Sequence, residues 1–194
     1  TYPGTQDLAG TIGLFAGGKN PSNINTVDQI SIPTTGNTTD YGDLIQAQDG
    51  RAYGLGSATR GIHGGGRTPT KLNVIQYTHF KSGGNFADFG DLTAATSLTS
   101  TFASSTRGVI AGGANPASIN TIEFITIATT SNATNFGDLT DEKRYHAGLS
   151  SQVRGITAGG AGAPSPARTN IIDFVTIASA GNASDFGDLT QIRM

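Results

Sequence analysis

An all-β fold made of four repeated sheets is what this 194-residue sequence predicts, and three observations predict it. The triplet Gly-Asp-Leu recurs at Gly42, Gly90, Gly137 and Gly187, at steps of 48, 47 and 50 residues. A Gly-Gly pair recurs at Gly17-Gly18, Gly65-Gly66, Gly112-Gly113 and Gly159-Gly160, at steps of 48, 47 and 47. Composition supplies the third: 28 glycines, abundant Thr, Ser and Asn, and few helix formers suit short strands joined by tight turns.

A period of 47 to 50 residues exceeds that of short-coil solenoids and falls in the range of propeller blades. The four strands of one period follow from its residues in order. Runs such as Gly13–Gly18, Gly61–Gly66, Gly108–Gly113 and Gly155–Gly160 are short and apolar and end in paired glycines. They read as the inner, buried strand of each unit, stopped where backbone passes close to backbone. A variable, Pro- and Asn-bearing connection follows and reads as surface.

The second strand is built on Asn25–Ile32, Asn73–Phe80, Asn120–Ile127 and Asn170–Ile177, where β-branched content favours strand over helix. A turn of the type TTGN or SAGN leads into a short outer strand with two anchors. One is aromatic (Tyr41, Phe89, Phe136 or Phe186) and one is leucine (Leu44, Leu92, Leu139 or Leu189). The fourth, irregular strand lies in Gly50–Arg60, Ser97–Arg107 and Arg144–Arg154.

A single sheet of this kind is apolar on both faces, so repeats must stack to bury them. The expectation is one β-propeller domain over residues 1–194, with units at 1–49, 50–96, 97–143 and 144–194 closing as a ring of four. Gln191–Met194 reads as the start of another irregular strand, which the poorly matching stretch Thr1–Gly10 would supply at the other end. The competing reading is four blades of a longer array. Thr1 in place of Met reads as a processed or trimmed start.

Charge excludes some partners. With 12 basic and 14 acidic residues and no basic run beyond Lys143-Arg144, an electrostatic nucleic-acid binder and a polybasic membrane anchor are both disfavoured. No apolar stretch approaches the roughly 18 to 20 residues of a membrane helix. Cysteine is absent, which removes disulfides and thiolate metal sites.

The paired glycines, an Asn-x-Ile-(Asp/Glu)-aromatic strand about ten residues later, and an Arg ahead of the next apolar run together resemble the kelch repeat across nearly the whole chain. The usual kelch Trp is missing, and Tyr41, Phe89, Phe136 and Phe186 are the nearest aromatic substitutes. The wording NTIEFITIATTSNATNFGDLT (Asn120–Thr140) also resembles tandem repeats of virion structural proteins in tailed phages of marine cyanobacteria and related hosts. That resemblance implies a particle-surface, tail-fibre or appendage component, located on the virion or outside the cell. Its partners would be other virion or filament proteins, further copies of itself, and host-surface glycans.

Candidate residues carry structural readings first. The pairs Asp40/Asp43, Asp88/Asp91, Asn135/Asp138 and Asp185/Asp188 invite a calcium reading. Asn in the third copy and too few oxygens favour turn residues that bond their own backbone. Arg60, Arg107 and Arg154 are expected to tie one repeat to the next through carbonyls and the Gly-Asp-Leu carboxylates, the competing role being a channel for anionic sugars. His63, His79 and His146 occupy non-equivalent positions, so no metal-binding ring is expected and each reads as solvated or locally bonded.

The glycine pairs lack the Lys-Ser/Thr of a phosphate loop and read as strand terminators. Asn37, Asn132 and Asn182 start Asn-x-Ser/Thr triplets, which carry meaning only in a glycosylating secretory route. No catalytic constellation, metal or cofactor is expected. The function implied is a non-enzymatic virion structural and attachment module, with the Pro-rich insertion marked by Ala161, Pro164, Pro166 and Arg168 as its contact loop. The alternative is a glycan-binding propeller using Tyr53, Tyr77, Tyr145 or the Phe series as sugar platforms. A hydrolase would need Asp28, Gln76, Glu123 and Asp173 to converge on the axis, and the Gln speaks against it.

Overall fold

The computed structural model describes residues 11–162 and 167–194, and among them the fold is all-β and antiparallel. Its strands are β1 (Ile12–Lys19), β2 (Asn23–Ser31), β3 (Thr39–Gly56), β4 (Arg60–Thr68), β5 (Thr70–His79), β6 (Ala87–Thr96) and β7 (Ser100–Ala103). They continue as β8 (Arg107–Ala114), β9 (Ser118–Thr126), β10 (Thr134–Asp138), β11 (Ala147–Ser150), β12 (Arg154–Ala158), β13 (Thr169–Thr176) and β14 (Ser184–Arg193).

Pairing follows the sequence repeat. The third unit is the meander β7-β8-β9-β10 and the fourth is β11-β12-β13-β14. The first two units form one six-stranded sheet, because β3 runs across their boundary: Gln48 still pairs with Ile24 of β2, whereas Asp49 pairs with Arg67 of β4. Thr1–Gly10, expected to supply an irregular strand, lies outside the described residues.

Four expectations are corrected. Gln191, Ile192 and Arg193 begin no new strand; they complete β14, with Arg193 opposite Thr169. The glycine pairs do not end β1, β4 or β8, which run on through them; β12 alone stops ahead of its pair. The first glycine of each pair has φ between 58 and 66° and sits at a register shift in these three strands. The strand therefore bulges there and continues, with the backbone in a region glycine enters cheaply.

Among the described residues the ring of four is also not closed. The sheets end at β1 and β14, and apolar side chains at both ends, Phe15 and Ile32 on the first unit and Phe186 on the fourth, are half or more exposed. Nor is the glycine-paired strand the one nearest its counterparts. The irregular strands lie side by side across units, with Thr101 Oγ1 donating to Gly54 O and Ser150 Oγ to Ala103 O.

The core sits between the units. One cluster joins Tyr53, Ile62, Ile75, Phe89 and Leu92 of the second unit to Ile110, Ile125, Ile127 and Ala133 of the third. Another joins Phe102, Val109, Ile122, Phe136 and Leu139 of the third to Val175 and Ile177 of the fourth. Each sheet therefore shields its apolar face on a neighbour, as the pattern of period-two strands with two hydrophobic faces requires.

Candidate functional site

The recurrent feature of the molecule is the joint between consecutive units, made three times with the same parts. Each Gly-Asp-Leu strand carries a bulge in which one residue is left without a partner, and that residue is the aromatic. Ile75 pairs with Gly90 and Gln76 with Asp88, so Phe89 is extruded, as are Tyr41, Phe136 and Phe186 in the other units. The extruded rings of Tyr41, Phe89 and Phe136 are buried against the next unit. Tyr41 Oη lies 2.9 Å from Thr78 Oγ1 and donates to His79 O at 3.2 Å.

The glycine after the aromatic lets the next unit's turn approach. Gly90 has a φ of 144°, and a Cβ there would stand 2.5 Å from Ser131 O. The Asp that follows clamps this turn with its backbone. Asp43, Asp91 and Asp138 donate their N–H to Oδ1 of Asn85, Asn132 and Asn182 at 3.0 to 3.1 Å, and each accepts at its own C=O from the N–H of Phe86, Ala133 or Ala183 at 2.8 Å. Asp43, Asp91 and Asp138 are strand residues beside a bulge, so the turn reading is corrected for them. An Asx-type bond to the residue two on occurs at Asp185, whose Oδ1 accepts from Gly187 N–H.

A second polar row closes the joint from the other side. Gln76 Oε1 accepts the Ile45 N–H at 2.8 Å; Glu123 Oε1 accepts the N–H and hydroxyl of Thr93; Asp173 Oδ1 accepts the Thr140 hydroxyl. These are residues of the row considered for hydrolysis, and their carboxyl or amide oxygens are committed to the preceding unit. In the last joint Lys143 Nζ meets Asp173 Oδ2 at 2.6 Å, with both side chains fully buried.

The arginines bridge the same gap. Arg60 Nη1 donates to Ile127 O and Arg107 Nη1 to Ile177 O, each at 2.8 Å, so each guanidinium holds a carbonyl of the next unit. Their planes lie over Tyr77 and Phe124 of their own sheet, 4.7 and 4.3 Å from the ring centroids. Arg154 lies over Phe174 in the same way, exposed on the outer face of the fourth unit. Carbonyls and rings take these cations, and the described ion pairs leave the Gly-Asp-Leu carboxylates out.

Among the remaining candidates, Tyr53 is buried and Tyr77 packs edge-on against Phe89, which leaves Tyr145 as the half-exposed ring of the three proposed sugar platforms. Ala161 is buried and exchanges two backbone hydrogen bonds with Arg144, and it bridges to Arg168. The Pro-rich insertion therefore begins and ends in backbone pairing, with Ala161 buried and Arg168 exposed, while Pro164 and Pro166 lie outside the described residues. Among the described residues no group of three or more His, Asp or Glu gathers as metal ligands, and no helix is long and apolar enough to cross a membrane.

Two histidines expected to be solvated or locally bonded are withdrawn from water. Burial pushes His63 down to about 4, with Gln48 Nε2 2.9 Å from its Nδ1. Burial and then the Lys143 charge push His146 down to about 3 against an opposing backbone hydrogen bond at Ala111. Both rings are neutral in the fold, so acid favours the unfolded chain, whose histidines protonate near 6.5. Stability should hold above that value and fall as the pH drops through the interval from 6.5 to about 4 for His63 and to about 3 for His146. Urea unfolding at about pH 7 and about pH 5 should differ by on the order of 2 kcal/mol per histidine, and His146→Gln should flatten the dependence.

No protein-family model matches the chain, and no curated protein matches it. The joint itself carries the functional argument. The sequence marks Asn132 and Asn182 only as the start of Asn-x-Ser/Thr triplets and does not mark Asn85, although each stands four positions ahead of the extruded aromatic.

Proposed function

We propose that this chain is a non-enzymatic structural and attachment module: a kelch-like β-propeller repeat array carried on a virion surface, tail fibre or appendage. The observation that supports it is the use made of the repeated polar residues. Arg60, Arg107, Asn85, Asn132, Asn182, Gln76, Glu123 and Asp173 are each bonded to a neighbouring unit, so the positions most constrained by the repeat serve cohesion. What varies is the set of surface turns, rich in Thr, Ser and Asn, which suit contact with other particle proteins or host glycans. The phage context comes from the resemblance of Asn120–Thr140 alone.

Antibodies raised against the chain should decorate intact tailed-phage particles in electron micrographs, and purified chain should reduce adsorption to host cells several-fold. Undecorated particles, together with unchanged adsorption, would remove the reading.

A further inference from the structure

The two outer faces of the array carry opposite halves of the joint, and among the described residues neither half meets its counterpart. On the fourth unit Phe186 is the extruded aromatic, half exposed where Tyr41, Phe89 and Phe136 are buried. The space over Gly187 is open: a Cβ there would meet nothing within 4 Å, whereas at Gly42, Gly90 and Gly137 it would strike the next turn. Arg154 stacks on its ring as Arg107 does and is exposed, whereas Arg107 donates to a carbonyl of the next unit. Leu149 is exposed, although its equivalents Leu55 and Phe102 press on Gly108 and Gly155 of the following unit.

The first unit presents the complement. Asn37, in the turn equivalent to those of Asn85, Asn132 and Asn182, is exposed, and so is Ile32, the position of the carbonyls that Arg60 and Arg107 hold. Asp28 stands where Gln76, Glu123 and Asp173 receive the preceding unit. A cavity of about 340 Å³ lined by Ile30, Ser31, Gly36 and Asn37 opens on this face. These residues are equivalent to Thr78, His79, Gly84 and Asn85, the wall against which Tyr41 is buried. Charge matches too, since Arg193 occupies the Lys143 position and Asp28 the Asp173 position, the two residues that pair at 2.6 Å inside the chain.

We propose that the occupant of each face is a second copy of this chain, docked head to tail, with Phe186 of one copy in the Ile30–Asn37 cavity of the next. In that joint Asp188 N–H meets Asn37 Oδ1, Arg154 meets the Ile32 carbonyl, and Arg193 meets Asp28. The contact is heterologous, so it propagates into a ring where the rotation closes and into a filament where it does not. It deepens the proposed assembly role and rests on it for the stacking geometry alone.

The test is sedimentation of the purified chain over a concentration series, with Asp28→Arg and Arg193→Asp made separately. Wild type should associate with concentration, and each charge reversal should weaken association by more than about tenfold. An equimolar mixture of the two variants should recover it, because each joint then pairs opposite charges. The chain has no cysteine, so Asn37→Cys and Asp188→Cys chains carrying different tags should form a mixed disulfide on oxidation. Three results would overturn the proposal: a monomer at every concentration, association indifferent to both reversals, or a disulfide within one chain when both cysteines are placed together. A monomeric chain that still decorates particles would remove this inference and leave the attachment reading standing.

Discussion

Replacing Lys143 by methionine should cost about 3 to 5 kcal/mol of stability, the loss expected when one member of a buried ion pair is removed and the other stays. Lys143 and Asp173 are fully buried, their charged atoms 2.6 Å apart, and the pair crosses from the third unit to the fourth. Methionine fills the volume of the lysine stem, so packing is kept and the change isolates the charge. What remains is a carboxylate in an apolar joint with one hydroxyl, that of Thr140, to answer it. The double variant Lys143→Met with Asp173→Leu should regain most of the loss, because it takes both charges out of the interior together. Urea unfolding of the two variants checks this. A double variant no more stable than the single one would mean that the pair matters through shape, not charge.

The pair also shows where the sequence stops being legible. The Gly-Asp-Leu beat, the glycine pairs and the Asn-led strand can be read from spacing alone, and they place the strands because each recurs with the same neighbours. Lys143 and Asp173 stand 30 residues apart at positions where other units carry Gln48 or Thr96 and Gln76 or Glu123, so no repeated pair of charges advertises them. Their contact exists because the bulge in one unit and the turn of the next fix a common register. A one-dimensional period does not supply that register. Asn132 is illegible for a different reason. The triplet it begins has a familiar meaning as a glycosylation signal, whereas its role is marked by the constant distance from Asn to the extruded aromatic. Ring closure is not legible either, since a period sets the size of a unit and leaves the rotation between units open.

That rotation depends on how closely one sheet approaches the next, which Gly90 controls at the joint between the second and third units, and Gly90→Ala should therefore be strongly damaging. Two costs combine there. At a φ of 144° an alanine is strained by about 1 to 3 kcal/mol whatever surrounds it. Its Cβ would also lie 2.5 Å from Ser131 O and 2.8 Å from Asn132 N, both backbone atoms of a turn clamped by Asp91. That turn cannot yield without opening the Asp91–Asn132 and Asp91–Ala133 hydrogen bonds, each worth about 1 kcal/mol. Gly187→Ala separates the two costs, because its φ of 133° carries comparable strain while nothing lies within 4 Å of the new methyl group. Gly90→Ala should thus exceed Gly187→Ala by at least about 2 kcal/mol in thermal or urea unfolding of the dilute chain. Equal losses would place the whole effect in the backbone and leave the close approach of neighbouring sheets with no part in holding them together.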